Sequence, residues 1–319
     1  MADDTLRLSI TKRWYAAPDV VVLVLANDSG VLPPWSPGAH ITVHISDHMS
    51  REYSLCGDVD TSCANWTIAV KLDSLGRGGS RYLHEQIVVG SQLEVTQPRN
   101  NFPLSTSTTP VLFVAGGIGI TPIMPMMARV HRDGTKYSCL YLGSDRETMP
   151  FADQLQAAYA DKITIFASKQ QGKRYELQEL FAGHDPLRIY ACGPNELIEA
   201  LEAAADEHEH VDLRVEYFSP RSVTTHGQAL TDFEVELAWS GEVIDVSAQR
   251  SILDALLDAD VDIMSSCEEG TCGTCEVKVI AGIPDHRDSV LSKVEQATNS
   301  RMLPCVSGSR SRRLVIDLL

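Results

Sequence analysis

The sequence contains no run of about 18 consecutive apolar residues, the length a helix needs to cross a bilayer, so no membrane-spanning helix is predicted. Its first residues, Met-Ala-Asp-Asp-Thr, lack the basic and apolar segments of a signal peptide, and a cytoplasmic location is expected. Positive charge is scarce: 27 lysines and arginines stand against 43 aspartates and glutamates, a formal net charge of −16. Nucleic-acid phosphates would be repelled by such a surface, which argues against that class of partner. An acidic surface suits docking to a basic patch on another protein, and equally suits plain solubility. Internal repeats and low-complexity stretches are also missing. With 319 residues, 44% hydrophobic and 22% charged, the composition is that of a soluble globular protein of two or three domains.

Cysteine, by contrast, is plentiful and patterned. The run Cys267-Glu-Glu-Gly-Thr-Cys272-Gly-Thr-Cys275 is followed, after a gap of 29 residues, by Cys305. Four residues, then two, then a long gap is the spacing of plant-type [2Fe-2S] ligands. Each iron takes two thiolates beside the two bridging sulfides, so four are needed. Gly270, Thr271, Gly273 and Thr274 are small enough for the loop to close tightly and turn backbone N–H groups toward sulfur. A structural zinc site is the competing reading, but zinc ligands usually come as two separated pairs, whereas here three cysteines occupy nine residues. Cys56, Cys63, Cys139 and Cys192 are scattered, as free thiols in a reducing compartment would be.

Along the first hundred residues, alternating or β-branched runs predict strands over Leu6 to Ile10, Val20 to Leu25, Ile41 to Ile45, Trp66 to Lys71 and Leu93 to Thr96. One short helix is expected from near Gly79 to Gln86, and the whole reads as an antiparallel barrel. After Pro110 the texture changes to alternating strands and helices. Strands are predicted at Val111 to Ala115, Ser138 to Leu142, Ile163 to Ala167, Arg188 to Cys192 and Leu213 to Tyr217. Helices are expected at Thr121 to Arg129, Ala152 to Tyr159, Leu177 to Phe181 and Glu196 to Glu207, which gives a doubly wound sheet. Ser219 to Ala229 has the composition of a linker. A hairpin over Phe233 to Ala238 and Val243 to Val246 and a helix from Ile252 to Leu257 then lead into the cysteine loop.

Four further motifs stand out. Arg51-Glu52-Tyr53-Ser54 offers a cation for a phosphate, an aromatic plate and a hydroxyl, although alone it reads equally as an ordinary strand. Gly76-Arg77-Gly78-Gly79-Ser80 lies between a strand and a helix, where exposed backbone N–H groups suit a phosphate, or where a simple turn is needed. Ala115-Gly116-Gly117-Ile118-Gly119-Ile120-Thr121-Pro122 sits at a strand-to-helix turn, where glycine lets the backbone approach a pyrophosphate. Cys192-Gly193-Pro194 ends a later strand.

In this order, together with the cysteine loop, these motifs resemble the ferredoxin–NADP reductase-like superfamily. Within it the match is to the phthalate dioxygenase reductase and vanillate O-demethylase reductase group, over essentially the whole chain. The resemblance implies a multidomain protein with three parts. Residues 1–104 are an antiparallel β-barrel flavin domain and 105–219 an α/β doubly wound nucleotide domain. After a linker at 220–230, residues 231–319 form an α+β (β-grasp) plant-type ferredoxin domain. It implies FMN, with FAD as the alternative, held at its phosphate by Gly78, Gly79, Ser80 and Arg51. Tyr53 packs on the isoalloxazine, Ser54 lies near its reactive edge, and Glu52, Val70 and Lys71 join the flavin-binding set.

The resemblance further assigns Gly116, Gly117 and Gly119 to the nucleotide loop, Thr121 to the flavin–nicotinamide junction, and Cys192, Gly193 and Pro194 to the side of the nicotinamide. Glu216, Tyr217 and Phe218 belong to the stretch that closes over the flavin, with Phe218 covering the ring. Ser54, Thr121, Cys192 and Glu216 are thus the residues expected at the reacting centre. Cys192 is given no acid–base work, because hydride transfer needs alignment rather than a proton relay.

The implied activity is NADH-dependent electron transfer through FMN and the [2Fe-2S] cluster to a Rieske-type terminal oxygenase acting on an aromatic compound. A haem or diiron monooxygenase partner and a redox-sensing binding module are the alternatives. NADH is expected from the family, yet Ser168-Lys169-Gln170-Gln171-Gly172-Lys173-Arg174 shows no acid until Glu176, which leaves NADPH open. A monomer is expected. Glu268 and Glu269, beside the cluster, either contact the partner or hydrate their loop.

Overall fold

The computed structural model describes residues 5–27, 30–46, 49–59, 64–106, 109–181, 187–219 and 232–318. Cys63 and the linker at 220–230 lie outside the described residues. The chain packs as two compact units, Met1–Phe218 and Ser219–Leu319.

The first unit opens with β1 (Leu6–Ala17), β2 (Val20–Ala26), β3 (His40–Ser46), β4 (Met49–Ser54), β5 (Trp66–Lys71), α1 (Gly79–Glu85) and β6 (Gln92–Val95). The strands form one sheet in the order β4-β3-β6-β1-β2-β5, antiparallel throughout. An isolated antiparallel bridge between Leu55 and Ile68 joins the two edges, so the sheet curls into a barrel. β2 explains what the barrel rests on. Its sequence, Val-Val-Val-Leu-Val-Leu-Ala, is apolar on both faces, and successive side chains point to opposite sides of a strand. Val21, Leu23 and Leu25 fill the barrel with Trp66, Ile68 and Leu8. Val20 and Val22 point the other way, into a second core.

That second core belongs to the doubly wound half of the unit. Its elements are β7 (Val111–Gly116), α2 (Ile120–Arg132), β8 (Tyr137–Gly143), α3 (Ala152–Tyr159), β9 (Ile163–Ala167), α4 (Ser168–Gln171), β10 (Leu187–Gly193), α5 (Asn195–Ala205) and β11 (Val211–Tyr217). The predicted helix over Leu177 to Phe181 is a 3-10 turn at those residues. All five strands are parallel, in the order β11-β10-β7-β8-β9. Strand order therefore reverses between β7 and β10, which opens a crevice at their C-terminal ends. From the barrel, Ala17, Val20, Val22, Cys56, Ala69 and Phe102 pack into one cluster with Phe113, Ile123, Met126 and Tyr190 of this half. Burying each of the two valines contributes roughly 1.5–3 kcal/mol.

In the second unit, β12 (Phe233–Leu237), β13 (Val243–Val246), α6 (Ile252–Asp258), β14 (Val277–Ala281), β15 (Pro284–Asp285), α7 (Lys293–Thr298), β16 (Arg301–Met302), β17 (Gly308–Ser309) and β18 (Arg313–Leu318) follow one another. The main sheet runs β13-β12-β18-β14-β16, with β12 and β18 parallel and the other pairs antiparallel. Ser251 starts α6 by accepting the Asp254 N–H at 3.0 Å. The helix then lays Ile252, Leu253, Ala255 and Leu256 on Val235, Leu237, Val277 and Ile316 of the sheet. This mixed sheet grasping one helix leaves the loop between α6 and β14, which carries three of the four cysteines, at one end of the core.

The seam between barrel and doubly wound sheet tolerates no extra atoms at Gly38. Its φ is +91°, and an added Cβ would lie 1.9 Å from the Phe102 carbonyl oxygen and 2.9 Å from Met126 Cε. Gly38→Ala is expected to cost ~2 kcal/mol or more, lowering the melting temperature of this unit by roughly 4–8 °C. Thermal unfolding followed by circular dichroism measures it, and an unchanged transition would show that the seam gives way without cost.

Candidate functional site

The cysteine loop is built for thiolates. Cys267, Cys272, Cys275 and Cys305 are all buried. They fall into two pairs: Cys267 is hydrogen-bonded to Cys272, and Cys275 to Cys305. Backbone N–H groups converge on the sulfurs. Glu269 N lies 3.3 Å from Cys267 Sγ and Thr274 N lies 3.3 Å from Cys272 Sγ. Thr271 N–H also faces Cys267, and Gly270 N–H faces Cys305. Buried sulfur ringed by donors is an environment for negative charge. Among the described residues no three such side chains converge on one ion. Two-and-two pairing suits a two-iron cluster, in which each iron takes two thiolates.

In the first unit Arg51 and Gly79, both expected at a phosphate, lie side by side. β4 delivers Arg51 to the start of α1, where a Cβ on Gly79 would lie 2.9 Å from Arg51 Cγ and 3.3 Å from its Nε. Gly78, just before, has φ +97° and faces open space. A guanidinium beside bare backbone at this turn has the donors for a phosphate. Ser80 is occupied with the loop itself, its hydroxyl accepting the Asp73 N–H at 3.0 Å. Tyr53 is half-buried against the barrel core, and burial pushes its phenol up. Val70 lies in that core, with its carbonyl 2.9 Å from His84 Nε2. Lys71 is exposed, 3.9 Å from Asp19.

The glycine turn and the Cys-Gly-Pro turn face each other across the β7–β10 crevice. A Cβ on Gly119 would lie 2.2 Å from the Cys192 carbonyl oxygen, and one on Gly116 would lie 2.7 Å from Pro194 Cδ. Only bare backbone lets the two turns close to this distance, and Gly117 between them takes φ +53°. Thr121, 2% exposed, donates its hydroxyl to the Ile118 carbonyl at 3.0 Å, fixing the turn from within. Phe218 ends the unit and is 37% exposed.

A polar seam lies where β4 meets β10 and β11. Cys192 and Glu216 are register partners in the parallel pair, with Cys192 Sγ 4.0 Å from Glu216 Oε2. Ser54, from the barrel, is hydrogen-bonded to the same carboxyl. Enclosure pushes Glu216 up to about 8, and the charge of Glu52 adds to this. Burial likewise pushes the Cys192 thiol up, with Glu216 second. Glu52 accepts from the Thr42 hydroxyl at 3.5 Å and lies 3.9 Å from His40 Nε2. His40 itself is held down to about 4 by burial and then by Arg99, so it is neutral at pH 7. Sequence reasoning missed His40 and Thr42. Their signal was the strand period of two, which puts both on one face of β3, directly across from Ser54 and Glu52 on the same face of β4.

Glu216 makes stability pH-dependent. Unfolded, its carboxyl loses its proton near 4.5, whereas folded it holds the proton to about 8. Between these values the folded state binds more protons, so its contribution to stability is full below pH 4.5 and falls as pH rises toward 8. Glu216→Gln is therefore expected to flatten the decline in denaturant midpoint between pH 5 and 8. Parallel midpoint-against-pH curves for the two proteins would contradict the protonated carboxyl.

Comparison with known proteins follows the same division. Residues 235–308 match the 2Fe-2S iron-sulfur cluster binding domain. Oxidoreductase NdmD of Pseudomonas putida is 37% identical over 293 residues, 90% of this chain and 49% of that protein, so the chain spans about half of that relative. Phthalate dioxygenase reductase of Burkholderia cepacia is 35% identical over 321 residues, 99% of this chain and 98% of the relative. The solved structure of a phthalate dioxygenase reductase, described as modular for electron transfer from pyridine nucleotides to [2Fe-2S], matches with a TM-score of 0.72 over 99% of this chain. An intact type IV self-sufficient cytochrome P450 monooxygenase matches at 37% identity and a TM-score of 0.89, over 98% of this chain and 41% of that one. With relatives 35–36% identical along almost their whole length and a matching cluster-binding domain, the chain belongs to the phthalate dioxygenase reductase and vanillate O-demethylase reductase family, in the ferredoxin–NADP reductase-like superfamily with a C-terminal [2Fe-2S] domain.

Proposed function

We propose that this chain is the NADH-dependent reductase component of a Rieske-type aromatic-ring oxygenase or demethylase system. The observation that carries it is the meeting of Ser54, Cys192 and Glu216 at the crevice of one unit while a second unit holds the paired thiols. Bound flavin takes two electrons as a hydride and a [2Fe-2S] cluster takes one at a time, so together they turn a pair into singles. The residues do the holding. Arg51 with Gly78 and Gly79 binds the phosphate of FMN, the flavin that the family resemblance implies. Tyr53 plates the ring, Ser54 orients at its edge, and Phe218 covers it. Gly116, Gly117 and Gly119 admit the pyrophosphate, Thr121 marks the junction, and Gly193 and Pro194 flank the nicotinamide.

Glu216 keeps a proton in the enclosed seam at neutral pH. Cys267 and Cys272 hold one iron, and Cys275 and Cys305 the other. In this reading 1–104 is the flavin domain, 105–219 the nucleotide domain, 220–230 a linker and 231–319 the ferredoxin domain. No helix among the described residues is long and apolar enough to cross a membrane, and we place the protein in the cytoplasm as a monomer. A haem monooxygenase partner is the second reading, favoured by the close match to the self-sufficient P450.

Anaerobic mixing with NADH, then with a Rieske oxygenase or a haem monooxygenase, tests the assignment. Cys305→Ser is expected to keep flavin bleaching by NADH and to slow partner reduction at least a hundredfold. A variant that reduces the partner at the native rate would remove the cluster from the path. The mass of flavin released by heat separates FMN from FAD.

A further inference from the structure

The adenosine end of a dinucleotide would fall on the loop after β9, whose basic run leaves NADPH open in the sequence, and on the neighbouring loop after β8. With its pyrophosphate at Gly116–Gly119, an extended dinucleotide runs from the β7–β10 crevice across the C-terminal edges of the next strands, β8 and β9. These two strands end in register, Gly143 opposite Ala167. Two residues past each end stand Asp145 and Lys169, with Lys169 Nζ 3.6 Å from Asp145 Oδ2. The pairing is built into the backbone as well, since Lys169 N donates to the Ser144 carbonyl at 2.9 Å.

The two partners are held differently. Asp145 Oδ1 accepts from Glu147 N at 3.2 Å and from Gln170 Nε2 at 3.0 Å, so its carboxylate is fixed in place. Those bonds, the Gln170 amide first and then the Glu147 N–H, hold it below the usual carboxylate range. The side chain of Lys169 is 68% exposed and reaches Asp145 from solvent. Arg146, the nearest other cation along the chain, is turned away onto Asp153 at 2.8 Å. A ribose 2′-hydroxyl donates to a carboxylate, whereas a 2′-phosphate is repelled by it and drawn to an ammonium. Both answers stand side by side here.

We propose that Lys169 reads the 2′ position of the adenosine ribose and that Asp145 restrains it, so that this ion pair sets the balance between NADH and NADPH. The inference rests on the nucleotide-site reading given above. Asp145 favours NADH by accepting the 2′-hydroxyl. NADPH is taken as a second donor when its 2′-phosphate competes Lys169 away from Asp145. The basic run Ser168 to Arg174 therefore acts through one lysine whose charge is already matched.

Calorimetric titration of the full-length, cofactor-loaded protein with NAD+ and with NADP+ tests this, alongside kcat/KM for NADH and NADPH. Lys169→Gln is expected to weaken NADP+ at least tenfold while leaving NAD+ within about twofold. Asp145→Asn is expected to shift the ratio the other way, strengthening NADP+ severalfold and weakening NAD+. If NAD+ binds but both variants leave the NADP+ to NAD+ ratio unchanged, the ion pair is overturned and the nucleotide site stands. If the native protein binds neither dinucleotide, the site reading falls and the pair with it.

Discussion

Everything at the candidate site depends on an apolar contact with no chemistry of its own: the outward face of β2 against the inner face of the doubly wound sheet. A barrel strand usually shows water one of its faces. Here Val20 and Val22 are buried with Phe113, Met126 and Tyr190, so barrel and sheet share a core and cannot be prised apart without exposing it. That shared core brings β4 against β10 and β11, and therefore sets Ser54 beside Glu216 and Cys192. In the proposed reading this site aligns a nicotinamide with a flavin and needs that rigidity, because hydride transfer tolerates little misplacement. The polar seam is costly to bury, and the apolar core beneath it offsets that cost.

The second unit solves a different problem with the same economy of parts. Its sheet and α6 form a small core whose task is to present one loop. Within that loop, backbone N–H groups face the sulfurs directly. Hydrogen bonds to sulfur favour the more negative cluster and are a lever on its potential. In the proposed reading the two units divide the work: one aligns a two-electron donor, and the other shelters a one-electron carrier.

How much of this was legible in the sequence varied with the range of the interaction. α3 and β9 occupy the residues predicted for them, because a stretch of good helix formers and a short β-branched apolar run are both local signals. β15, β16 and β17 have two residues each and no period to detect, so the sequence after Cys275 offered little beyond Cys305. The site divides in the same way. Arg51 to Ser54, the glycine turns and the cysteine loop are contiguous and could be read directly. His40 and Thr42 join the seam only through strand register, and Asp145 meets Lys169 only because β8 and β9 lie side by side. A search for an acid along the loop after β9 misses one supplied by the neighbouring strand.

The central claim is that a hydride taken at the crevice leaves the protein as single electrons through the paired thiols' cluster. Its most direct test is the visible absorbance spectrum of the purified protein under argon, before and after one equivalent of NADH. Flavin bands and a broad iron–sulfur shoulder that bleach together are the predicted result. A protein that carries both cofactors and stays oxidised after NADH would contradict the account.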